Sequence, residues 1–582
     1  MLDSVTTQIF WNRIISIVDE AATGLIRTAY SAVVRDFHDF ACGLFDRDGN
    51  LLAHSVKTTT AFIGVMPFLM KHFIEAFPPE TLAPGDALIT NDPWLGTGHT
   101  YDLCIASPIF HGSRLIGFAI CIVHHLDIGG RLTNTESKDM YEEGLRLPIV
   151  RFARDDIIDP TLEAVICANV RAPVAMMGDI RAQLTANSVC SRGLLAMIED
   201  YRLDDSTLIE LAREIASRSE ASLRRRIAAV PAGRYENEVV LPTMAGIDGI
   251  RIKVALTFAG DEVTVDFTGS SAEVAAGVNV TLNMTRSYSL YPIKMALDPE
   301  VPNNEGCIRP IRVIVPEGTL LNCRPPAPTW GRIMICHNLP EIIFGALVKA
   351  IPDRIPAACG STPIVLTNLR WRHPDGRLHI GMTSGQGGMG ASARGDGASC
   401  RGFPYNVGNV PVETIENDLP LIYTRKELLA DSGGPGTNRG GLGQCVEFRV
   451  ADNHLAPELP IDCLVRGVSR RPDSVYPVFG RKGGQVGRGA AMAMDGKPLT
   501  AGTPQKLGPG RDILIALPGG GGYGDPLRRA PEDVLADVRQ GYVSRAGAEA
   551  DYGVRLSADG TAIDHAATEA LRAARSPGHE RD

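Results

Sequence analysis

Several features common in proteins are absent from this 582-residue chain, and each absence narrows what it does. No uninterrupted apolar stretch approaches about 18 residues, so no membrane span is expected. The opening LDSVTTQIFW has neither the basic nor the apolar region of a secretory signal. The 12 cysteines are scattered, with no C-x-x-C pair. Several, such as Cys104 and Cys121, sit inside apolar runs and read as buried small hydrophobes. No disulfide framework is expected, and the chain reads as cytoplasmic. No basic stripe offsets a formal net charge of -9, which argues against nucleic acid as a partner. The cluster Arg224–Arg226 reads as a solvated helix face. No G-x-x-x-x-G-K-S/T loop and no G-x-S-x-G elbow occurs. The chain therefore shows no evident means of using ATP by itself.

What is present is ordinary in bulk and specific in places. Hydrophobic residues make up 44% and charged residues 21%, a normal soluble composition. Phe10 to Tyr30 carries apolar residues at steps of three and four and predicts a helix. A D-G turn predicts a hairpin of Phe40–Phe45 against Leu51–Ala53. Thr58 to Phe77 predicts another helix, stopped by Pro78-Pro79. From Pro160, a good first helical residue, to about Ala229 the pattern is mostly helical. From Val230-Pro231 to about Arg511 alternation with period two dominates. Its clearest hairpin is RIKVALTFAGDEVTVDF. Pro531 opens a short helix closed by Gly541, Ser544 caps a second that ends at Gly553, and Thr568 to Arg575 gives a last polar one. These readings predict an α+β fold, with helical N-terminal and C-terminal segments around large mixed or antiparallel sheets. Three segments are expected: an α+β metal-site domain at 1–229, a strand-rich domain at 230–525 and a helical tail at 526–582.

The chemistry concentrates in residues 91–130, NDPWLGTGHTYDLCIASPIFHGSRLIGFAICIVHHLDIGG. Two apolar strands, LCIASPIF and LIGFAICIV, are joined by four residues. His99 and Asp102 precede the first strand. His124, His125 and Asp127 follow the second. In an antiparallel hairpin the start of one strand lies beside the end of the other, so the two clusters converge at one end. Pairing Phe110 with Leu115 sets Tyr101 opposite His124, and a register change of one residue sets Asp102 there instead. His111 falls at the far end, as a turn residue. Imidazole nitrogen with carboxylate oxygen suits a borderline divalent metal such as Mn, Zn or Fe. Two His and one carboxylate leave positions open for water or substrate. Asp127 or His125 would orient a ligating ring, and the pattern does not say which of His124 and His125 ligates. Asp39, at the mouth of the first hairpin, is a further candidate carboxylate. The stretches GQGGMG, DSGGPGTNRGGLG and PGGGGYGDP lack a phosphate-loop lysine. They read as structural turns or as close backbone approach to substrate.

Eight stretches together resemble the hydantoinase B/oxoprolinase family. They are IVDEAATGLIRTAYSAVVRDFHDFACGLFDRDGNLLAHS, NDPWLGTGHTYDLCIASPIF, HHLDIGG, EEGLRLPIV, GDIRAQLTAN, VPNNEGCIRPI, DSGGPGTNRGGLG and LPGGGGYGDP, in the family's order across nearly the whole chain. The resemblance implies a metal held by His99, Asp102 and His124, with Asp39 as a further acidic position. It departs from the family where Thr100-Tyr101 replaces the usual Leu-Pro. It also implies a partner: an A-type subunit with an actin-like fold that binds ATP and phosphorylates the substrate, in a heterotetramer or larger assembly. Two reactions are then expected for the B-type chain. One is hydrolytic opening of a hydantoin, oxoproline or lactam ring by water activated at the metal, with His125 or Asp127 as proton acceptor. The alternative is ATP-dependent carboxylation of a ketone of the acetone or acetophenone type, to which the compact chain is less suited.

Overall fold

The computed structural model describes residues 3–131, 135–372, 376–451, 461–466, 476–499 and 505–575. Contacts divide the chain into two compact units. The first is Met1–Val239, Thr243–Ala350 and Tyr405–Gly408; the second is Val240–Pro242, Ile351–Pro404 and Asn409–Asp582.

In the first unit, helix α1 (Ser4–Thr28) is capped by Asp3, whose carboxylate accepts from the N–H groups of Val5 and Thr6. A single turn, α2 (Ala32–Arg35), leads to β1 (Phe40–Asp46) and β2 (Leu51–His54), the expected hairpin. Helix α3 (Thr60–Ala76) follows, then β3 (Ala87–Thr90), the long hairpin β4 (Asp102–His111) and β5 (Arg114–His124), and β6 (Val150–Arg154) with β7 (Ile157–Ile158). These strands form one antiparallel sheet in the order β2-β1-β5-β4-β3-β6-β7. Three helices come next: α4 (Pro160–Asn169), with Pro160 at its first position, α5 (Pro173–Tyr201) and α6 (Asp205–Ala228).

Strand residues alternate between faces, and the sheet uses both. On one face Phe40, Cys42, Cys121 and Val123 pack with Ile14, Ile17 and Val18 of α1 and with Ala186 and Cys190 of α5. On the other, α3 lies over the sheet: a Cβ on Gly43 would stand 3.0 Å from the Met66 sulfur. Helix α7 (Leu282–Leu297) packs on α3. A second sheet, β8 (Gly233–Val240), β9 (Arg251–Ala259), β10 (Glu262–Asp266) and β11 (Ile311–Ile314), contains the predicted β9–β10 hairpin. The short α8 (Ile333–Cys336) and α9 (Leu339–Leu347) complete the unit.

The second unit holds two antiparallel sheets and a helical end. One sheet contains β12 (Val365–Arg372), β13 (Leu378–Gly385), β16 (Ile461–Arg466) and β19 (Gln505–Leu507). The other contains β14 (Leu421–Leu428), β15 (Gln444–Val450), β17 (Ala491–Met494), β18 (Lys497–Pro498) and β20 (Asp512–Ala516). Helix α10 (Val412–Asp418) packs on β14, and α11 (Pro531–Arg539), α12 (Arg545–Tyr552) and α13 (His565–Arg575) end the chain. Ser544 and Gly553 cap α12 as expected.

Beyond Gly385, which ends β13, and the Asn438–Tyr523 bridge, the glycine-rich stretches add no strand. Residues 518–522 are extended, and successive residues bond to different neighbours. Gly519 N–H donates to Arg488 O, Gly520 to Gly441 O, Gly521 to Ala358 O and Gly522 to Gln485 O, each at 2.9 Å. The partner segment thus recurs every third residue, the period of a polyproline-II turn. Chains packed this way leave no room for side chains: a Cβ on Gly520 would lie 2.1 Å from Met389 O, and one on Gly388 1.8 Å from Gly441 O. The close approach expected of these glycines is backbone to backbone.

Contacts group the chain differently from the three segments read from the sequence. Apart from Val240–Pro242 and Tyr405–Gly408, the two units part between residues 350 and 351. The change at 230 is a change of element type, since β9 packs on α9 and β10 on α6 within the same unit. Residues 526–575 group with the second unit. The Arg529 guanidinium bonds Asp396 at 2.7 Å and Asp537 at 2.9 Å, which ties the helical end into the second unit. The stretch read as strand-rich also contains α7. Its sequence hides it: Asn283, Thr285, Ser287 and Ser289 are as buried as Tyr288 and Ile293, so no apolar stripe appears.

Candidate metal centre

Register decides the site. Strands β4 and β5 start from the Phe110–Leu115 pairing, but a bulge between Ile109 and Phe110 shifts the rest by one residue. Asp102 therefore stands opposite His124. On its other edge β5 pairs with β1 through Phe40 and Val123, and His124 N–H donates to Asp39 O at 3.1 Å. Asp39, His124 and Asp102 thus form a row across three neighbouring strands. His99 arrives from the loop before β4. That loop is fixed by Asn91, whose amide donates to Thr100 O at 2.6 Å, and by Asn283 of α7, which donates to Trp94 O at 2.8 Å.

His99 Nε2 and His124 Nδ1 each lie 2.8 Å from the same oxygen, Oδ1 of Asp102. The ligand atoms of the three residues fall within 4.8 Å of one another. The two imidazoles are stacked, with centroids 5.1 Å apart. His124 Nδ1 is hydrogen-bonded to Asp102. His99 Nε2 is buried and, despite its proximity, makes no hydrogen bond. A buried imidazole nitrogen left without a hydrogen bond beside a shared carboxylate oxygen is a place that a cation completes. Two nitrogens and one oxygen suit the donor preferences of a borderline divalent ion.

The electrostatics fit the same reading. Burial, helped by the nearby Arg332 charge, pushes the His99 imidazole down to about 3, so it is neutral in ordinary conditions. Burial opposes ionisation of Asp102, but the two imidazoles outweigh it and hold the carboxyl well below its usual range. Burial also disfavours the charged His124 ring, yet its hydrogen bond to Asp102 wins and raises its pKa. Asp39 is raised by burial, with Asp102 adding repulsion.

Asp39 stands at the edge of this cluster. Its carboxylate accepts from Thr59 Oγ1 at 2.9 Å and is not one of the three clustered groups. The structure takes His125 and Asp127 elsewhere. Neighbouring strand residues face opposite ways, so His125 turns to α5, where Nε2 is 3.4 Å from Gln183 Oε1. Asp127 accepts from Gly129 N–H at 3.0 Å, from the Arg171 guanidinium at 2.8 Å and from the Arg171 main chain. Their contacts are those of supports for the hairpin end, not of proton acceptors facing the three ligands. His111 is exposed at the far end of the ribbon.

Sequence reasoning missed Arg332 and Glu143. Arg332 is 3% exposed; its Nη2 donates to Asp102 Oδ2 at 3.0 Å and its Nε to Thr97 O at 2.6 Å. Only the fold brings a residue 230 positions away to Asp102. Glu143 lies in the EEGLRLPIV stretch, and its carboxylate accepts from the main-chain N–H groups of Thr329 and Trp330, each at 2.9 Å. It thereby anchors the turn that presents Arg332.

Burial raises the Glu143 carboxyl to about 7, against the pull of those hydrogen bonds. A raised folded-state pKa means that the native chain holds a proton which the unfolded chain has lost between about 4.5 and 7. Its stabilisation is complete below that window and lost as pH rises through it. Glu143→Gln is therefore expected to gain about 3 kcal/mol relative to wild type between about pH 4.5 and 8. Urea unfolding across that range measures it, and a pH-independent difference would contradict the assignment.

The comparisons identify the frame. The Hydantoinase B/oxoprolinase family model matches residues 3–526. The chain belongs to the hydantoinase B/oxoprolinase family. Within the family it is 30% identical to a putative D-/L-hydantoinase B chain of Pseudomonas sp. (strain NS671), over 98% of each chain. It is 28% identical to the beta chain of the caprolactamase of Pseudomonas jessenii, over 98% of this chain and 99% of that one. The crystal structure of the ATP-dependent caprolactamase from that organism superposes with a TM-score of 0.87, covering 98% of this chain and 100% of the other. A nucleotide-free acetone carboxylase shares the fold, with a TM-score of 0.83 at 20% identity, covering 98% of this chain and 82% of that one. The chain is α+β. Among the described residues no helix is long and apolar enough to cross a membrane.

Proposed function

We propose that this chain is the B-type component of an ATP-dependent cyclic amide hydrolase. It opens a hydantoin, oxoproline or lactam ring after a separate A-type subunit has used ATP to phosphorylate the substrate. The observation that carries the proposal is the convergence of His99, Asp102 and His124 on one oxygen. The names of the relatives supply the reaction class: the B chain of a hydantoinase and the beta chain of an ATP-dependent caprolactamase. The missing Walker loop agrees with ATP being handled by a partner.

In this reading His99 Nε2, His124 Nδ1 and Asp102 Oδ1 hold a divalent metal, Mn or Zn. When bound, the metal would supply a Lewis acid that polarises the carbon–oxygen bond at the carbon whose bond to the ring nitrogen breaks, and would acidify water. Asp102 and His99 are almost wholly buried, whereas the His124 side chain is 17% exposed. Substrate therefore approaches from the His124 side. Asp39 adds a carboxylate on the same sheet face, one strand over. His125 and Asp127 support the hairpin end through Gln183 and Arg171.

The test is reconstitution of the full chain with an A-type subunit, ATP and Mn or Zn. The substrates are a hydantoin, 5-oxoproline, a lactam, and a ketone with bicarbonate. Ring opening that needs ATP, partner and metal together is expected. ATP-dependent turnover by the single chain would sink the partner requirement, and carboxylation of the ketone would replace the hydrolase by a carboxylase.

A further inference from the structure

We propose that Arg332 is a positioning residue that confines Asp102 to binding the metal through one oxygen. The inference rests on the metal reading above. A carboxylate offers two oxygens and about four lone-pair sites. Here they are divided. Oδ1 faces both imidazoles at 2.8 Å, while Oδ2 is taken by Arg332 Nη2 at 3.0 Å.

The same guanidinium fixes the other ligand. Its Nε donates to Thr97 O, two residues before His99. The side chain also packs on the loop itself. Gly98 has φ +82, and a Cβ there would meet Arg332 Cδ at 3.0 Å, Thr281 Oγ1 at 2.9 Å and Met284 Cγ at 2.6 Å. One planar fork thus sets the spacing between His99 and Asp102. An apolar side chain would fill this volume without the desolvation cost of a buried cation. Lysine would keep the charge but has no fork to reach both acceptors. A carboxylate held to one oxygen favours a low coordination number with positions open. A carboxylate free to use both moves toward the higher numbers typical of oxygen-rich sites.

Cobalt(II) makes the difference visible, because its visible d–d bands weaken as coordination number rises. The full-length wild type, Arg332→Gln and Arg332→Lys are each titrated with Co2+ after chelation. The wild type is expected to take about one ion per chain with the strong bands of a low-coordinate site. Arg332→Gln frees Oδ2, so its bands weaken and its affinity falls about 10–100-fold. Arg332→Lys shows the same change in smaller degree. A role in folding alone would lower the unfolding midpoint and leave the bands of the loaded protein unchanged. Wild-type bands in Arg332→Gln overturn the inference. If that variant does not fold, wild-type bands in Arg332→Lys do so. Failure of the wild type to bind Co2+ overturns the metal reading and this inference with it; binding with unaltered spectra overturns this inference alone.

Discussion

His99→Ala is expected to abolish metal binding and to lower turnover of the reconstituted enzyme by about three orders of magnitude, ~4 kcal/mol in the barrier. The ring donates no hydrogen bond through Nε2 and packs against His124 and Tyr101, so its removal takes a ligand away without exposing a buried charge. Asp102→Ala should give the same loss of metal by a costlier route. It leaves the Arg332 guanidinium buried and unpaired, which costs about 3–5 kcal/mol of stability. Elemental analysis, turnover and thermal unfolding separate the two effects. Asp127→Asn is the contrast: it weakens the contact with Arg171, lowers stability and keeps the metal. Metal retained by both His99→Ala and Asp102→Ala would end the centre as described, and metal lost from Asp127→Asn would return that carboxylate to the site.

Gly520→Ala should be among the most damaging single substitutions in the second unit, at more than about 4 kcal/mol. The added methyl has nowhere to go, because it meets Met389 O at 2.1 Å and Met389 C at 2.3 Å, both backbone atoms. Moving them breaks bonds in several directions, since the 518–522 segment bonds to the segments around Ala358, Gly388, Gly441 and Arg488. Gly508→Ala is the control. Nothing among the described residues lies within 4 Å of its Cβ position and its φ is not left-handed, so a change within about 1 kcal/mol is expected. Urea midpoints of the two variants check this; similar values would show that the glycine packing has slack.

The hairpin end and the glycine packing were legible in the sequence to different degrees. The hairpin end could be read because its chemistry is written in order: His99 and Asp102 before one apolar strand, His124 after the next. The alternation of strand faces then separates His124 from His125 once the register is known. The register itself was not legible. A single bulge at Ile109 and Phe110 decides whether Asp102 or Tyr101 faces His124, and bulges leave no clear mark in a run such as LCIASPIF. The glycine stretches were recognisable as unusual, but their period-three bonding involves partners scattered from Ala358 to Arg488. Helix α7 was hidden because burial on all sides erases the amphipathic pattern.

The sequence by itself determined the element types with local causes: helix α1, the Ser544-capped helix α12, the Pro160 helix start, the β1–β2 and β9–β10 hairpins, and the convergence of His99 and Asp102 with the cluster of His124, His125 and Asp127 at one end of a ribbon. Each follows from side chains within a few residues, or from the geometry of one ribbon. Tertiary structure alone decided the register that puts Asp102 beside His124, the boundary at residue 350, and the placement of Arg332 and Glu143 behind the site. The last two depend on groups far apart in the chain meeting in a buried space. There a single charge or methyl group counts for several kcal/mol, and no local pattern records it.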